Sequence, residues 1–193
     1  MASESTVVTP QRYLEGFGYS DYIGQINVNK ARFQEFYDKF QVNDEESKIL
    51  KDIAANPKGP SKMMVIGEDW CGDVVRGLPV LARMSEAAGW DMKIFPRDSH
   101  EDIMNEFLKE GKYMSIPVAV FYTSEHEYIC HWIERPEVAA QEQRVIEQQI
   151  RDENPDITDQ EFGRERRNRT GAKAGEWQQA TVTEIIALLQ ANL

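Results

Sequence analysis

Apolar residues recur at two different periods along the chain, and the change falls near residue 60. Before it, Phe33, Phe36, Tyr37 and Phe40 lie three and four apart, the spacing that places side chains on one helix face. Asn29 stands where it would cap that helix. Ile49, Leu50, Ile53 and Ala54 form a second stripe, and Pro10 suits the first position of a short helix nearer the N-terminus. The stretch from Asn56 to Pro60, NPKGP, stops the pattern. It predicts a boundary between a helical N-terminal extension, 1–60, and a second unit, 61–193.

Past that break the period shortens. Residues 63–66 are wholly apolar and predict a buried strand. Val74, Val75, Leu78, Leu81 and Ala82 suit a helix that Pro79 should kink and Gly89 should end. Residues 92–95 read as a second strand. Ser99 and Asp102 make a capping pattern before a helix lined by Ile103, Phe107 and Leu108. Residues 118–122 and 128–133 read as strands joined by the polar turn 124–127. The order strand, helix, strand, helix, strand, strand predicts an α/β domain in which the first strands are parallel and the last two form an antiparallel hairpin. Cys130 would then lie opposite about Val120.

The segment 136–180 is charged and helical in pattern, broken at Asn154-Pro155-Asp156, with a second polar helix over about 159–170. Its apolar positions are few: Val138, Ala139, Val145, Ile146, Ile150, Phe162 and Trp177. They predict a narrow stripe docked on the domain, on the Phe33 helix or on a second subunit, rather than a hanging tail. Thr181 and Glu184 make a capping pattern for a final amphipathic helix bearing Ile185, Ile186, Leu188 and Leu189.

Charge narrows the function classes. Twenty-two basic and 33 acidic side chains give 193 residues a formal net charge of −11. That argues against nucleic-acid or anionic-membrane binding. No apolar run reaches membrane-spanning length. The first residues, MASESTVVTPQRY, lack a basic segment followed by an apolar one, so no signal peptide is expected and a cytoplasmic location is. Cys71 and Cys130 should be reduced thiols there. The basic run 163–169 departs from the acidic balance and reads as a solvated helix face or as an RNA or partner contact. His126, Cys130 and His131 are too scattered to predict a metal site, and no cofactor is implied.

The chemistry concentrates at Trp70-Cys71-Gly72-Asp73, where a strand gives way to a helix. A cysteine at a helix N-terminus faces unpaired backbone N–H groups and the positive end of the dipole. Both favour thiolate, and such sites lower a thiol pKa from ~8.5 towards ~3.5–7.5. Arg76 would assist, whereas the charge of Asp73 opposes thiolate unless Asp73 caps the helix. The plainer reading of Cys71 is a small apolar residue at a strand end. Arg97 reads as a stabiliser of a thiolate or anionic substrate, or as a structural ion pair with Asp98 or another acid.

Strand, Trp70-Cys71-Gly72, and a helix with an internal proline resemble the active-site segment of thioredoxins. Ser115-Ile116-Pro117, at the start of a strand, resembles the cis-proline segment of that family. The resemblance covers about 61–135 and 181–193, leaving 136–180 as a charged helical insertion. It looks closest to a poorly characterised bacterial-type group bearing a single-cysteine W-C-G-D motif. It implies a thioredoxin-like fold with Cys71 catalytic and with Trp70, Ile116 and Pro117 binding substrate. An Ile–Pro bond adopts cis at modest cost, and an extended substrate could add beside it as a strand. Two departures matter. Val74 stands in place of the resolving cysteine, and Val65 in place of a buried aspartate. Cys130 should lie too far from Cys71 for a disulfide and reads as a buried, inert thiol. The expected function is therefore monothiol thiol–disulfide exchange, with a protein or low-molecular-weight thiol or disulfide as substrate and an external thiol resolving it. The alternative is a redox-inactive binding module.

Overall fold

The computed structural model describes residues 7–193, so residues 1–6 of the expected N-terminal extension lie outside it. Four strands form one sheet: β1 (Lys62–Gly67), β2 (Asp91–Pro96), β3 (Val118–Tyr122) and β4 (Tyr128–Ile133), in the order β2-β1-β3-β4. β1 and β2 run parallel, while β3 is antiparallel to both β1 and β4. The apolar runs form the two central strands because both sheet faces are covered; Met63–Ile66 and Val118–Phe121 are fully buried. Cys130 pairs with Phe121 and His131 with Val120, one place from the expected register. The irregularity between Phe121 and Tyr122 accounts for the slip, since an extra residue in one strand shifts the pairing beyond it.

The helix joining β1 to β2 has the most buried residues of any helix among the described residues. The first four helices are α1 (Pro10–Tyr13), α2 (Tyr19–Gln25), α3 (Lys30–Lys39) and α4 (Asp44–Ala55); this one, α5, spans Gly72–Ala88. Ten of its residues are buried, so its stability comes from packing on several sides rather than from one amphipathic face. It runs through Pro79 as a single helix, although Pro79 cannot donate to the carbonyl one turn back. Gly89 ends it in the left-handed region, φ 76°.

α3 and α4 pack on α5, and α4 also meets the last helix, α9 (Ala174–Asn192), which lies against α5 and β4. Phe33 and Leu50, from the two expected N-terminal stripes, are fully buried in the same core as the strands. Farther upstream, Phe17 exchanges backbone hydrogen bonds with Ile94 (2.9 and 2.8 Å), covering part of the open edge of β2. Gly16 permits this approach, because a Cβ there would lie 2.6 Å from the Phe95 ring.

The charged segment folds as α7 (Glu137–Glu153) and α8 (Asp159–Ala172), following the short α6 (Glu101–Met104) in chain order. Thr158 and Glu161 close a capping box on α8. Three expected caps differ. Asn29 precedes α3 but sits at φ 57° and donates to the Asp69 carbonyl instead of capping. Ser99 lies in a 3-10 turn, and Asp102 is taken by Arg12 at 2.5 Å. Thr181 lies inside α9, donating to the Trp177 carbonyl, because the helix starts a full two turns earlier at Ala174. Glu184 accepts from the Glu137 amide at the start of α7 and from Trp132 Nε1.

Phe33→Ala and Trp177→Ala should each cost ~3–5 kcal/mol in urea unfolding, with one transition. A loss below ~1 kcal/mol, or an early separate transition, would show that α3 or the C-terminal helices are accessory to the core.

Candidate functional site

The site lies where β1 hands over to α5. Gly67, the last residue of β1, packs so tightly on the first turn of α5 that a Cβ would fall 2.9 Å from Val74 Cγ1. The intervening loop is pinned from two sides. Asp69 Oδ2 accepts from the amides of Asn27 and Val28 at 3.2 and 3.0 Å, while Asn29 Nδ2 donates to the Asp69 carbonyl at 2.9 Å. Glu68 Oε1 accepts from the Asp98 amide at 2.8 Å. These contacts were not legible in the sequence, because they join segments about thirty or forty residues apart with no periodic relation.

Cys71 is the N-terminal flanking residue of α5, as expected, and is half-buried. Its Sγ lies 3.7 Å from the Ile116 carbonyl, to which the thiol donates. The Ile116–Pro117 peptide bond is cis, and Gly77 of α5 faces the Pro117 ring, which a Cβ would approach to 3.3 Å. The fold thus brings Cys71, Ile116 and Pro117 together. Trp70 is 50% exposed beside them, with the Arg97 guanidinium 4.9 Å from its ring centre. Arg97 also pairs with Asp98 at 2.6 Å and donates to the Met114 carbonyl. Arg97 thus lies against Trp70 and makes the ion pair with Asp98 that is one of its two readings. Val28, whose amide bonds Asp69, and Met114, whose carbonyl accepts from Arg97, are both exposed.

The electrostatics correct the expectation of an activated thiol. Burial pushes the Cys71 thiol above its usual range, and the charge of Asp73 adds to this. The amides of Val74 and Asp73, and the charge of Arg135, pull it down without prevailing. The helix N-terminus acts in the expected direction, but desolvation outweighs it.

Asp73 opposes the thiolate as expected, but neither its capping alternative nor the expected help from Arg76 is seen. Asp73 does not cap α5; its Oδ1 binds Arg76 Nη2 at 2.5 Å and its Oδ2 binds Arg135 Nη2 at 2.6 Å. Arg76 is therefore committed to Asp73 and lies over the Trp177 ring at 4.8 Å rather than serving the sulfur. Arg135, just after β4, also reaches Glu134 at 2.6 Å and Gln143 in α7. Sequence reasoning passed over Arg135, since a partner 62 residues away leaves no local signature. Val74 and Val65 are fully buried and apolar, and Cys130, only 5% exposed, has its thiol pushed up to about 12 by burial. Cys71 and Cys130 are both free thiols. Among the described residues no group of three or more His, Cys, Asp and Glu is placed to hold a metal, and no helix is long and apolar enough to cross a membrane.

A sheet of this order with a cysteine before α5 and a cis-proline opposite defines a thioredoxin-like protein. The family model described as thioredoxin matches residues 16–151, and the chain belongs to that family. The match begins upstream of the break at residue 60 and ends within α7. The fold is similar to the crystal structure of a protein of unknown function from Pseudomonas aeruginosa, with a TM-score of 0.69, 15% identity, and coverage of 97% of this chain and 100% of that one. It is also similar to an HIV epitope scaffold, with a TM-score of 0.66 and 14% identity, covering 96% of this chain and 100% of the scaffold. No curated protein sequence matches.

Asp73→Asn should lower the pH at which Cys71 alkylates, because it removes a charge that opposes thiolate. The same change should destabilise the fold by up to ~3–5 kcal/mol, since it leaves Arg76, about 15% exposed, without its ion-pair partner and Arg135 with Glu134 alone. A pH profile of alkylation that stays put or moves alkaline would contradict this account of the thiol.

Proposed function

We propose that the protein is a monothiol thiol–disulfide oxidoreductase working through Cys71. The observation that carries this reading is the Cys71 sulfur held against the Ile116 carbonyl beside exposed Trp70. Cys71 thiolate attacks one sulfur of a disulfide R–S–S–R, forming the Cys71–S–S–R mixed disulfide and releasing RS⁻. An external thiolate then attacks the mixed disulfide, leaves as a new disulfide with R–S, and returns Cys71 as thiolate. The resolving thiol must come from outside, because Val74 supplies none and Cys130 is buried on β4. Trp70 walls the site, while Ile116 and Pro117 offer backbone to an extended substrate, which is a protein or a low-molecular-weight disulfide. A reducing cytoplasm supplies the external thiol. The Trp70-Cys71-Gly72-Asp73 motif supports grouping the chain with single-cysteine W-C-G-D proteins of the family. A second reading, a redox-inactive binding module, is favoured by the raised Cys71 pKa and by apolar Val65 and Val74.

The pH dependence of alkylation separates the two. Below the thiol's pKa each pH unit should raise the Cys71 rate about tenfold, with the midpoint above the ~8.5 of a free cysteine. At every pH Cys71 should outpace Cys130 by ~10-fold or more, because Cys130 is more strongly shifted and less exposed. Equal rates, or a Cys71 that is silent up to about pH 9.5, would leave the binding module.

A further inference from the structure

The first turn of α5 opens onto a cleft of about 200 Å³ that the exchange chemistry leaves without a role. Five arginines line it: Arg32 of α3, Arg76 of α5, Arg135, and Arg166 and Arg167 of α8, with Asp73 the one acid. This positive excess sits in a chain of net charge −11, so it is not a sample of the general surface. The arginines differ in their commitments. Arg76 and Arg135 share Asp73, and Arg166 lies 3.4 Å from Glu147. Arg32 and Arg167 are exposed, and no ion pair among the described residues holds either. Gly72 and Gly171 form part of the wall, and a Cβ on either would meet nothing within 4 Å. The cleft is therefore open beside the residue that follows Cys71.

We infer that this cleft seats the carboxylates of a small anionic disulfide while the disulfide's sulfur meets Cys71. The inference rests on the exchange reading above and names its substrate class. Guanidinium groups present a planar fork that matches a carboxylate in two parallel hydrogen bonds. Two uncommitted forks suit an acid better than a neutral or cationic group. At about 200 Å³ the cleft is smaller than the ~300–1,000 Å³ of drug-sized ligand pockets, which limits it to a small acid. Arg166 and Arg167 belong to the basic run 163–169, so the cleft gives part of that run a purpose that neither a solvated face nor RNA binding requires.

The test compares three disulfides of similar size and different charge: 3,3′-dithiodipropionate, bis(2-hydroxyethyl) disulfide and cystamine. The readout is the rate of mixed-disulfide formation on Cys71, followed by intact mass. The protein's net charge alone would favour the cation. The cleft should reverse that order, with the dianion ~10-fold faster than the neutral compound and the dication slowest. Arg32→Gln combined with Arg167→Gln should bring the anionic-to-neutral ratio close to one. Arg164→Gln, on the same helix but outside the cleft, should keep it. Reaction with all three in the order cation, neutral, anion, or an anionic preference that survives the double substitution, overturns the assignment and leaves the exchange reading standing. Reaction with none overturns both.

Discussion

One carboxylate, on Asp73, is gripped at one oxygen by Arg76 and at the other by Arg135. The three side chains are only 15–16% exposed, so each charge has lost most of its water and depends on the others for compensation. The pairing fixes the first turn of α5 to the chain leaving β4. It also draws in the C-terminal helices, because Arg76 rests on the Trp177 ring and Arg135 reaches Gln143. Trp177 is held in turn by Glu142 at 2.6 Å. The orientation of Cys71 toward Ile116 follows from where this turn is held. Its electrostatics follow as well, since Asp73 and Arg135 act on the sulfur with opposite signs.

The helices outside the familiar strand-and-helix core are part of the same device. The segment before α3 supplies the three hydrogen bonds on Asp69 that pin the cysteine loop. α3 also contributes Arg32 to the cleft, and α8 contributes Arg166 and Arg167. Gln178 of α9 donates to the Arg76 carbonyl at 3.1 Å, so the last helix touches the same turn. A core stripped to four strands, α5 and the turn after β4 would keep the thiol and the Asp73 pairs but lose the loop clamp, the Trp177 and Gln143 contacts that support the two arginines, and the cleft. Packing and chemistry are therefore supplied by the same additions.

Much of this was legible in the chain because hydrophobic burial writes a period into the sequence. The four strands, α3, α4, α5 and the helical character of 137–153 follow from apolar spacing, and the position of Cys71 at the start of α5 follows from the strand that ends before it. What was not legible depends on contacts without a period. The Thr181 cap failed because α9 continues upstream through Trp177, whose burial needs α5 and α7 in place. The hairpin register failed at one irregular pair. The sign of the Cys71 shift failed because the helix terminus can be read from sequence, whereas desolvation depends on what closes over the sulfur. Arg135 and the convergence of five arginines are tertiary facts throughout.

The most direct test of a thiol that acts alone is a closed cycle followed by intact mass spectrometry. Protein is treated with a small disulfide, the adduct is mapped, and a small thiol is then added. The account predicts one adduct, on Cys71, that persists until the thiol arrives and is then removed completely, with no Cys71–Cys130 disulfide at any stage. Spontaneous loss of the adduct with formation of an internal disulfide, or an adduct on Cys130 with Cys71 untouched, would contradict it.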